Sequence, residues 1–269
     1  MQKYKKNRNE KEILNRQLKI VWTYNSNAIE GNTLSEGDTS FIIENGLTVS
    51  GKSIKEHNEV IGHARAIDLI YDFLEDETIN EEKLFLLHKA IQTQVLIDSE
   101  KPNGAYKRVL NGSWHKVNGK SEFFAYPHPD DTKYLMNLWF KTFGQIGKEI
   151  KSGKEAIKVY ADMHLSFTLI HPFWDGNGRL ARLVSNLPLL KNDYLPMIIS
   201  IENRREYIEL LSSYQRTTKE LNAKISLENL IDYENENYLK LLAFFKKESK
   251  NSEELLNALD RGKRKIEKS

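Results

Sequence analysis

Twelve residues, from His171 to Arg182, dictate a sharp turn between two helices. They read His-Pro-Phe-Trp-Asp-Gly-Asn-Gly-Arg-Leu-Ala-Arg. An apolar helical pattern runs into them through Ile157, Tyr160, Ala161, His164, Leu165, Thr168 and Leu169. Pro172 has no N–H and disfavours the α conformation in the residue before it, so His171 is expected at or just past the helix end. Asp175-Gly176-Asn177-Gly178 makes a tight turn, and a second helix is expected over Arg179–Lys191.

The same residues carry a chemistry. Glycines let successive backbone N–H groups turn inward as a concave anion site, and the helix that follows adds its positive end. Arg179 and Arg182 are three apart and can share one side of the first turn, where guanidinium groups grip phosphate oxygens in pairs. Asp175 is placed to hold a magnesium ion that also binds phosphate oxygens. His171 has a side chain that titrates near neutrality and can take a proton from an attacking hydroxyl. Each feature alone has a plainer reading, because Asp-Gly and Asn-Gly are ordinary turn pairs and a histidine after an apolar helix is commonly a cap. Base, metal ligand, phosphate nest and two arginines in one string specify phosphate-ester chemistry.

The rest of the chain reads as mostly helical. Apolar residues at Ile13, Ile20, Val21, Tyr24 and Ala28 predict a helix over Glu12–Glu30, with Gly31 as its stop. Ser35-Glu36-Gly37-Asp38, Ser53-Ile54-Lys55-Glu56 and Thr78-Ile79-Asn80-Glu81 each resemble a capping box ahead of an apolar run. Between Lys101 and Pro129 the punctuation changes to Asn103-Gly104, Asn111-Gly112, Asn118-Gly119 and two prolines, which is hairpin and loop chemistry around Tyr106–Leu110 and Glu122–Tyr126. Helices are expected again from Asp131, from about Glu155, over Arg204–Lys219 and over Leu227–Lys247. The expected class is all-α, a helical bundle with a small β-hairpin. The divisions expected are an N-terminal helix at 1–34, a catalytic domain at 35–247 and a charged tail at 248–269.

Composition narrows the function classes. Of 269 residues, 39% are hydrophobic, enough to build a core. Forty basic against 38 acidic side chains leave a net charge of +2, which argues against a protein built to neutralise nucleic-acid phosphates. The basic residues Arg261, Lys263, Arg264, Lys265 and Lys268 read as a solvated helix end. The absence of cysteine excludes disulfides, thiolate metal sites and a cysteine nucleophile. No apolar run is long enough to span a membrane, and the first residues are polar, so a cytoplasmic location is the expectation. His57, His63, His88, His115 and His128 show no metal-ligand spacing and read as structural or surface residues.

Ser26-Asn27-Ala28-Ile29-Glu30-Gly31 is the second informative stretch. On a helix Ser26 and Glu30 share a face, one turn apart. Glu30 falls in the last turn, where the helix dipole disfavours a carboxylate and a cationic partner would be welcome. The plainer reading is a surface glutamate beside a glycine stop.

The string at 171–182 resembles the core motif of the Fic (Fido) family at every defining position. That resemblance implies a protein adenylyltransferase, which moves AMP from ATP to a Ser, Thr or Tyr hydroxyl of a target protein. It implies His171 as general base and Asp175 as Mg2+ ligand. Gly176, Asn177 and Gly178 would cradle the inner phosphates, Arg179 and Arg182 would bind the outer ones, and Phe173 would anchor the loop. Ser121, Glu122, Phe123 and Phe124, ahead of Pro127-His128-Pro129, resemble the flap that binds the target by strand addition, with extra residues at 111–120 before it. Tyr207 falls where relatives place an aromatic near the nucleotide, and Gln215 where many have an asparagine beside adenine.

Ser26 and Glu30 match the Ser-x-x-x-Glu-Gly motif of members with an N-terminal inhibitory helix, which implies that Glu30 engages Arg182 and occupies the γ-phosphate space. A brake in the same chain makes a separate antitoxin unnecessary. The resemblance leaves open a homodimer, removal of AMP with help from Glu30, and a different donor such as UMP, phosphocholine or the γ-phosphate. A non-catalytic regulatory module is the remaining alternative, and the intact His171 argues against it.

Overall fold

Ser35 and Ser53 start two helices in the way their spacing predicts. In the computed structural model each serine hydroxyl accepts the N–H three residues on, and Asp38 and Glu56 reciprocate toward the cap. The structure describes residues 1, 3–4, 8–93, 99–117 and 119–266; Asn118 and Lys268 lie outside them. Within that range the helices are α1 (Arg8–Ile29), α2 (Glu36–Asn45), α3 (Ile54–Asp72), α4 (Glu81–Ile91), α5 (Pro129–Phe143) and α6 (Gly153–Ile170). They continue with α7 (Asn177–Val184), α8 (Leu187–Lys191), α9 (Arg204–Thr217) and α10 (Glu236–Ile266). Strands β1 (Gly112–Val117) and β2 (Lys120–Ala125) form one antiparallel hairpin in which Trp114 faces Phe123. The architecture is therefore all-α with one small hairpin.

Helix α6 is the axis of the bundle and is buried along most of its length, because its apolar residues surround it on all sides. Trp139 of α5, Phe167 of α6 and Phe245 of α10 meet around it as edge-on aromatic neighbours of α6 residues or of one another. Helix α1 belongs to the same core through Leu14, Leu18, Trp22 and Ile29. Each such buried side chain contributes about 1.5–3 kcal/mol relative to exposure, so α1 is an integral part of the bundle. Its C-terminal end is also clasped to the start of α9. The Ile201 N–H donates to Asn25 Oδ1 (2.9 Å), and Arg204 Nε donates to the Ile29 carbonyl (2.6 Å).

Four expectations are corrected. The third capping signal acts two residues later than expected: Asn80, not Thr78, caps α4 by accepting the Lys83 N–H, while Thr78 bridges to Gln145. The segment Tyr106–Leu110 forms no strand; the partner of β2 is the stretch at 112–117 that looked like an insertion. The helix expected over Arg179–Lys191 breaks at Ser185-Asn186, because Pro188 has no N–H to offer the Val184 carbonyl. Leu227–Asn229 is a single 3-10 turn, and the long helix starts at Glu236 and passes residue 248 without a break.

Candidate active site

His171 ends α6 in the left-handed region, with φ of 50°. A histidine enters that region only when its surroundings hold it there. Its backbone N–H closes the last turn of α6 on the Phe167 carbonyl (2.9 Å). Its imidazole lies flat on the Tyr126 ring, with centroids 3.6 Å apart and planes inclined by 6°. Nδ1–H donates to the Thr168 carbonyl (3.3 Å), which leaves the lone pair on Nε2. Burial, and then the Lys107 ammonium, push the imidazole pKa down, so the ring is neutral at physiological pH.

The loop that follows is fastened from several elements. Phe173 is fully buried and stacks on His88 of α4, with centroids 4.0 Å apart. The Gly104 N–H donates to His88 Nδ1 (2.8 Å), so Nε2–H is free to donate to the Asp175 carbonyl (3.2 Å). Burial lowers the His88 pKa to about 4, which keeps that neutral tautomer. The Asn177 side chain turns inward: its Oδ1 accepts the Phe173 N–H (2.9 Å) and its Nδ2 donates to the Phe173 carbonyl (2.7 Å). Asn111 Nδ2 donates to the same carbonyl (3.0 Å), and the Lys107 N–H donates to the Pro172 carbonyl (2.9 Å). Any share of Asn177 in holding a phosphate therefore falls to its backbone.

Gly176 opens α7 with φ of 79°, the conformation the nest requires. Its N–H donates to Asp175 Oδ1 (2.7 Å), and Gln92 Nε2 donates to Oδ2 (3.0 Å). Burial acts to raise the Asp175 pKa, but Arg179, Gln92 and the Gly176 N–H outweigh it and hold the carboxyl below its ordinary value. The side chain is half exposed, with Arg179 Nη2 at 3.8 Å. An ionised carboxylate with an open edge fits Mg2+, which takes few protein ligands and completes its shell with phosphate and water. Among the described residues, no group of three or more His, Cys, Asp or Glu could form a cage from protein alone. Arg179 is buried and its Nε finds no acceptor among the described residues.

Arg182 is held by α1. Its Nε donates to Ser26 Oγ (3.0 Å), and its Nη2 donates to the Ser26 carbonyl (3.0 Å) and to Glu30 Oε1 (2.6 Å). Nη1 donates to the Tyr207 hydroxyl at 3.5 Å, which leaves that hydroxyl to donate to His164 Nε2 (2.8 Å). Gly178 stands beside this pair so closely that a Cβ there would meet Glu30 Oε1 at 2.7 Å. Glu30, His171, Gly178 and Arg182 line one cavity of about 210 Å³.

That cavity adjoins two wider ones, of about 670 and 340 Å³, and Tyr126 and Gln215 line all three. Gln215 Oε1 accepts from the Ser113 hydroxyl (3.3 Å), while His115 bridges Ser113 to Ser212 of α9, so the hairpin is pinned to α9. Tyr207 is buried against Arg182 and His164, with its hydroxyl committed to both. The strand carrying Ser121, Glu122, Phe123 and Phe124 is exposed, and Trp114 and Phe123 meet on the hairpin with centroids 5.3 Å apart.

The sequence reading did not single out Lys107, Asn111, Tyr126, His88 as a support, Gln92 or His164. Tyr126 stood in the expected hairpin, but nothing in its spacing tied it to a histidine 45 positions on. His88 had the one legible signal, a polar residue on the buried stripe of α4.

Residues 78–189 match the Fic/DOC family. The protein adenylyltransferase fic-1 of Caenorhabditis briggsae is 32% identical over 196 residues, which are 71% of this chain and 36% of that protein. The protein adenylyltransferase Fic of Nematostella vectensis is 32% identical over 191 residues, 70% of this chain and 42% of the relative. The chain thus spans well under half the length of these curated relatives. A Fic domain-containing signalling protein from Bacteroides thetaiotaomicron superposes with a TM-score of 0.70 at 25% identity, covering 92% of this chain and 91% of its own. A fragment of Fic-1 from C. elegans superposes with a TM-score of 0.67 at 25% identity over 96% of this chain and 68% of that one. This chain therefore carries a domain of the Fic/DOC family, with Ser26 and Glu30 brought to its centre from outside the matched span.

Proposed function

We propose that the protein is a protein adenylyltransferase that moves AMP from ATP to a Ser, Thr or Tyr hydroxyl of a target protein, with Glu30 as its brake. The observation that carries this reading is the small cavity in which His171, Gly178, Arg182 and Glu30 meet. The names of the curated relatives support the activity.

The chain's own residues divide the work. His171 Nε2 takes the proton of the target hydroxyl, whose oxygen attacks the α-phosphorus in line. The bond from the α-phosphorus to the bridging oxygen breaks, and pyrophosphate leaves. The N–H groups at the start of α7, with Arg179, bind the polyphosphate. Asp175 would hold Mg2+, which neutralises charge on the leaving pyrophosphate. The exposed hairpin would take the target segment by strand addition, with Trp114 and Phe123 against its side chains.

Glu30 sets the resting state. Its carboxylate occupies the side of Arg182 that an outer phosphate would need, so ATP would meet a negative charge there. The brake lies in the same chain, and the reading needs no separate antitoxin.

Intact-mass analysis after incubation with Mg-ATP tests the proposal on wild type, Glu30→Gly and His171→Ala. The Gly variant is expected to gain the mass of AMP and the Ala variant nothing. Label carried from the γ-phosphate rather than the α-phosphate would overturn AMP transfer in favour of phosphoryl transfer.

A further inference from the structure

Tyr126 is mounted firmly at the end of the hairpin. Its N–H donates to the Asn111 carbonyl (3.0 Å), which carries the ladder one pair beyond Gly112 and Ala125. The buried Pro127 follows and disfavours the α conformation in Tyr126, so the chain stays extended there. Pro129 then opens α5. From that mount the Tyr126 ring lies on the face of the His171 imidazole, with centroids 3.6 Å apart and planes inclined by 6°.

The imidazole has little else to hold it. Its one hydrogen bond among the described residues is Nδ1–H on the Thr168 carbonyl, long at 3.3 Å. A catalytic base is commonly oriented by a further group behind it. Here that group is a single peptide carbonyl. One hydrogen bond fixes a point on the edge of the ring, whereas a flat contact fixes its plane. The face contact also leaves the edge free, and His171 lines the small cavity beside Glu30 and Arg182.

The hairpin that carries Tyr126 is seated on α9 by directed bonds. Ser113 Oγ donates to Gln215 Oε1 (3.3 Å), so it accepts from His115 Nε2–H (2.6 Å). His115 Nδ1 is then the bare nitrogen, and the Ser212 hydroxyl donates to it. The seat is made by β1 and the ring contact by the residue after β2, with one hairpin joining them.

We propose that Tyr126 is the positioning residue of the candidate base, and that the seat of the hairpin on α9 sets the stack. The ring of Tyr126 holds the plane of the His171 imidazole so that Nε2 keeps its aim. Strand β2 is also where the proposed function puts the target segment. Pairing there bears on the same mount, which couples target docking to the orientation of the base. That consequence rests on AMP transfer being the reaction; the hold on the ring does not.

NMR of the full chain labelled with 13C,15N-histidine reads the ring directly, with His171 assigned by its loss in His171→Ala. Wild type is expected to show one protonated and one bare ring nitrogen, and ring protons moved upfield by the Tyr126 face. Tyr126→Phe should keep both features. Tyr126→Leu should let the tautomers exchange and draw the two nitrogen signals together. Nitrogen signals that stay as in wild type would overturn the proposal, and so would a Phe variant that follows Leu. Ser212→Ala removes a bond to His115 and bonds to neither ring; it should reduce the upfield shift. An unchanged shift would overturn the role of the seat, and this arm stands even if the Leu variant loses the dispersed signals of His88 and His164. In a Glu30→Gly background Tyr126→Leu should lower kcat about 10- to 100-fold. The KM for ATP should change less than about threefold, and Tyr126→Phe should keep the parent rate. A Leu variant as fast as its parent, or altered in KM alone, would overturn the positioning role. Absence of AMP transfer in the Glu30→Gly parent would overturn the proposed function and leave the NMR readings standing.

Discussion

Glu30 Oε1 accepts from Arg182 Nη2 at 2.6 Å, joining residues 152 positions apart, and the two partners are buried unequally. The Arg182 side chain is 3% exposed, whereas that of Glu30 is 43% exposed. A carboxylate that keeps much of its hydration gives up a contact at little cost, on the order of 1 kcal/mol. The arginine keeps both Ser26 bonds when the carboxylate leaves. On the proposed reading, Glu30 would be a removable plug on an arginine that keeps its Ser26 bonds without it.

Glu30→Gly should accordingly raise AMP transfer with little loss of stability. Coupling energies of about 1–3 kcal/mol correspond to roughly a 5- to 150-fold gain. Auto-modification followed by intact mass reads the gain, and urea unfolding should stay within about 1 kcal/mol of wild type. A variant no faster than wild type at saturating Mg-ATP would remove Glu30 from the brake.

Ser26 should behave in the opposite way, although it stands in the same motif. It is 1% exposed and accepts from Arg182 twice, through its hydroxyl and its carbonyl. Ser26→Ala removes one hydrogen bond to a buried charge, a loss of about 1.5–3 kcal/mol. In the Glu30→Gly background it should raise the KM for ATP, because Arg182 is then held less firmly. If Ser26→Ala alone activates like Glu30→Gly and leaves stability unchanged, Ser26 is part of the brake and not of the receptor.

The legibility of this site follows the range of its interactions. The turn at 175–178, the stop at His171 and the boxes at Ser35 and Ser53 are local, so residue type and spacing were enough to read them. The shared face of Ser26 and Glu30 was equally local, but their arginine lies in another helix. Only the resemblance pointed to Arg182, and the structure supplied the bonds. Lys107, Asn111 and Tyr126 were silent because each serves the His171 loop across at least 45 positions, with no periodic pattern to announce it. The break before Pro188 was legible in principle: a proline inside an expected helix withholds an N–H from the fourth residue before it.

Asn177 offers a direct test of how the loop is held. Its side chain is 2% exposed and bonds both the N–H and the carbonyl of Phe173. Asn177→Ala leaves the Phe173 N–H without that acceptor, whereas the carbonyl keeps Asn111. A loss of about 1–3 kcal/mol is expected in urea unfolding. Asn177→Asp, which can still accept the N–H, should lose less. Equal stability of all three proteins would show that the loop is set by Phe173 packing alone.

The buried histidines predict how the fold responds to acid. His63, His88 and His164 are 0%, 1% and 0% exposed, and burial lowers the pKa of each, to about 4 for His88 and about 3 for His164. In the unfolded chain each binds a proton near pH 6.5, so below that value unfolding takes up protons that the folded state refuses. Their contribution is complete above pH 6.5 and is lost as the pH falls toward the folded values. Each histidine contributes a slope of about 1.4 kcal/mol per pH unit, and His171, also lowered to about 3 by burial, adds a fourth, so the four remove up to about 5 kcal/mol between pH 7.5 and 5.5. Glu56, held at about 2 by bonds from Thr33 and Ser53, titrates in a lower window and does not confuse the reading. Urea unfolding at the two pH values measures the difference, and His88→Asn should reduce it by about a quarter. A stability that stays flat between pH 7.5 and 5.5 would mean that these rings are protonated, or accessible to water, in the folded protein.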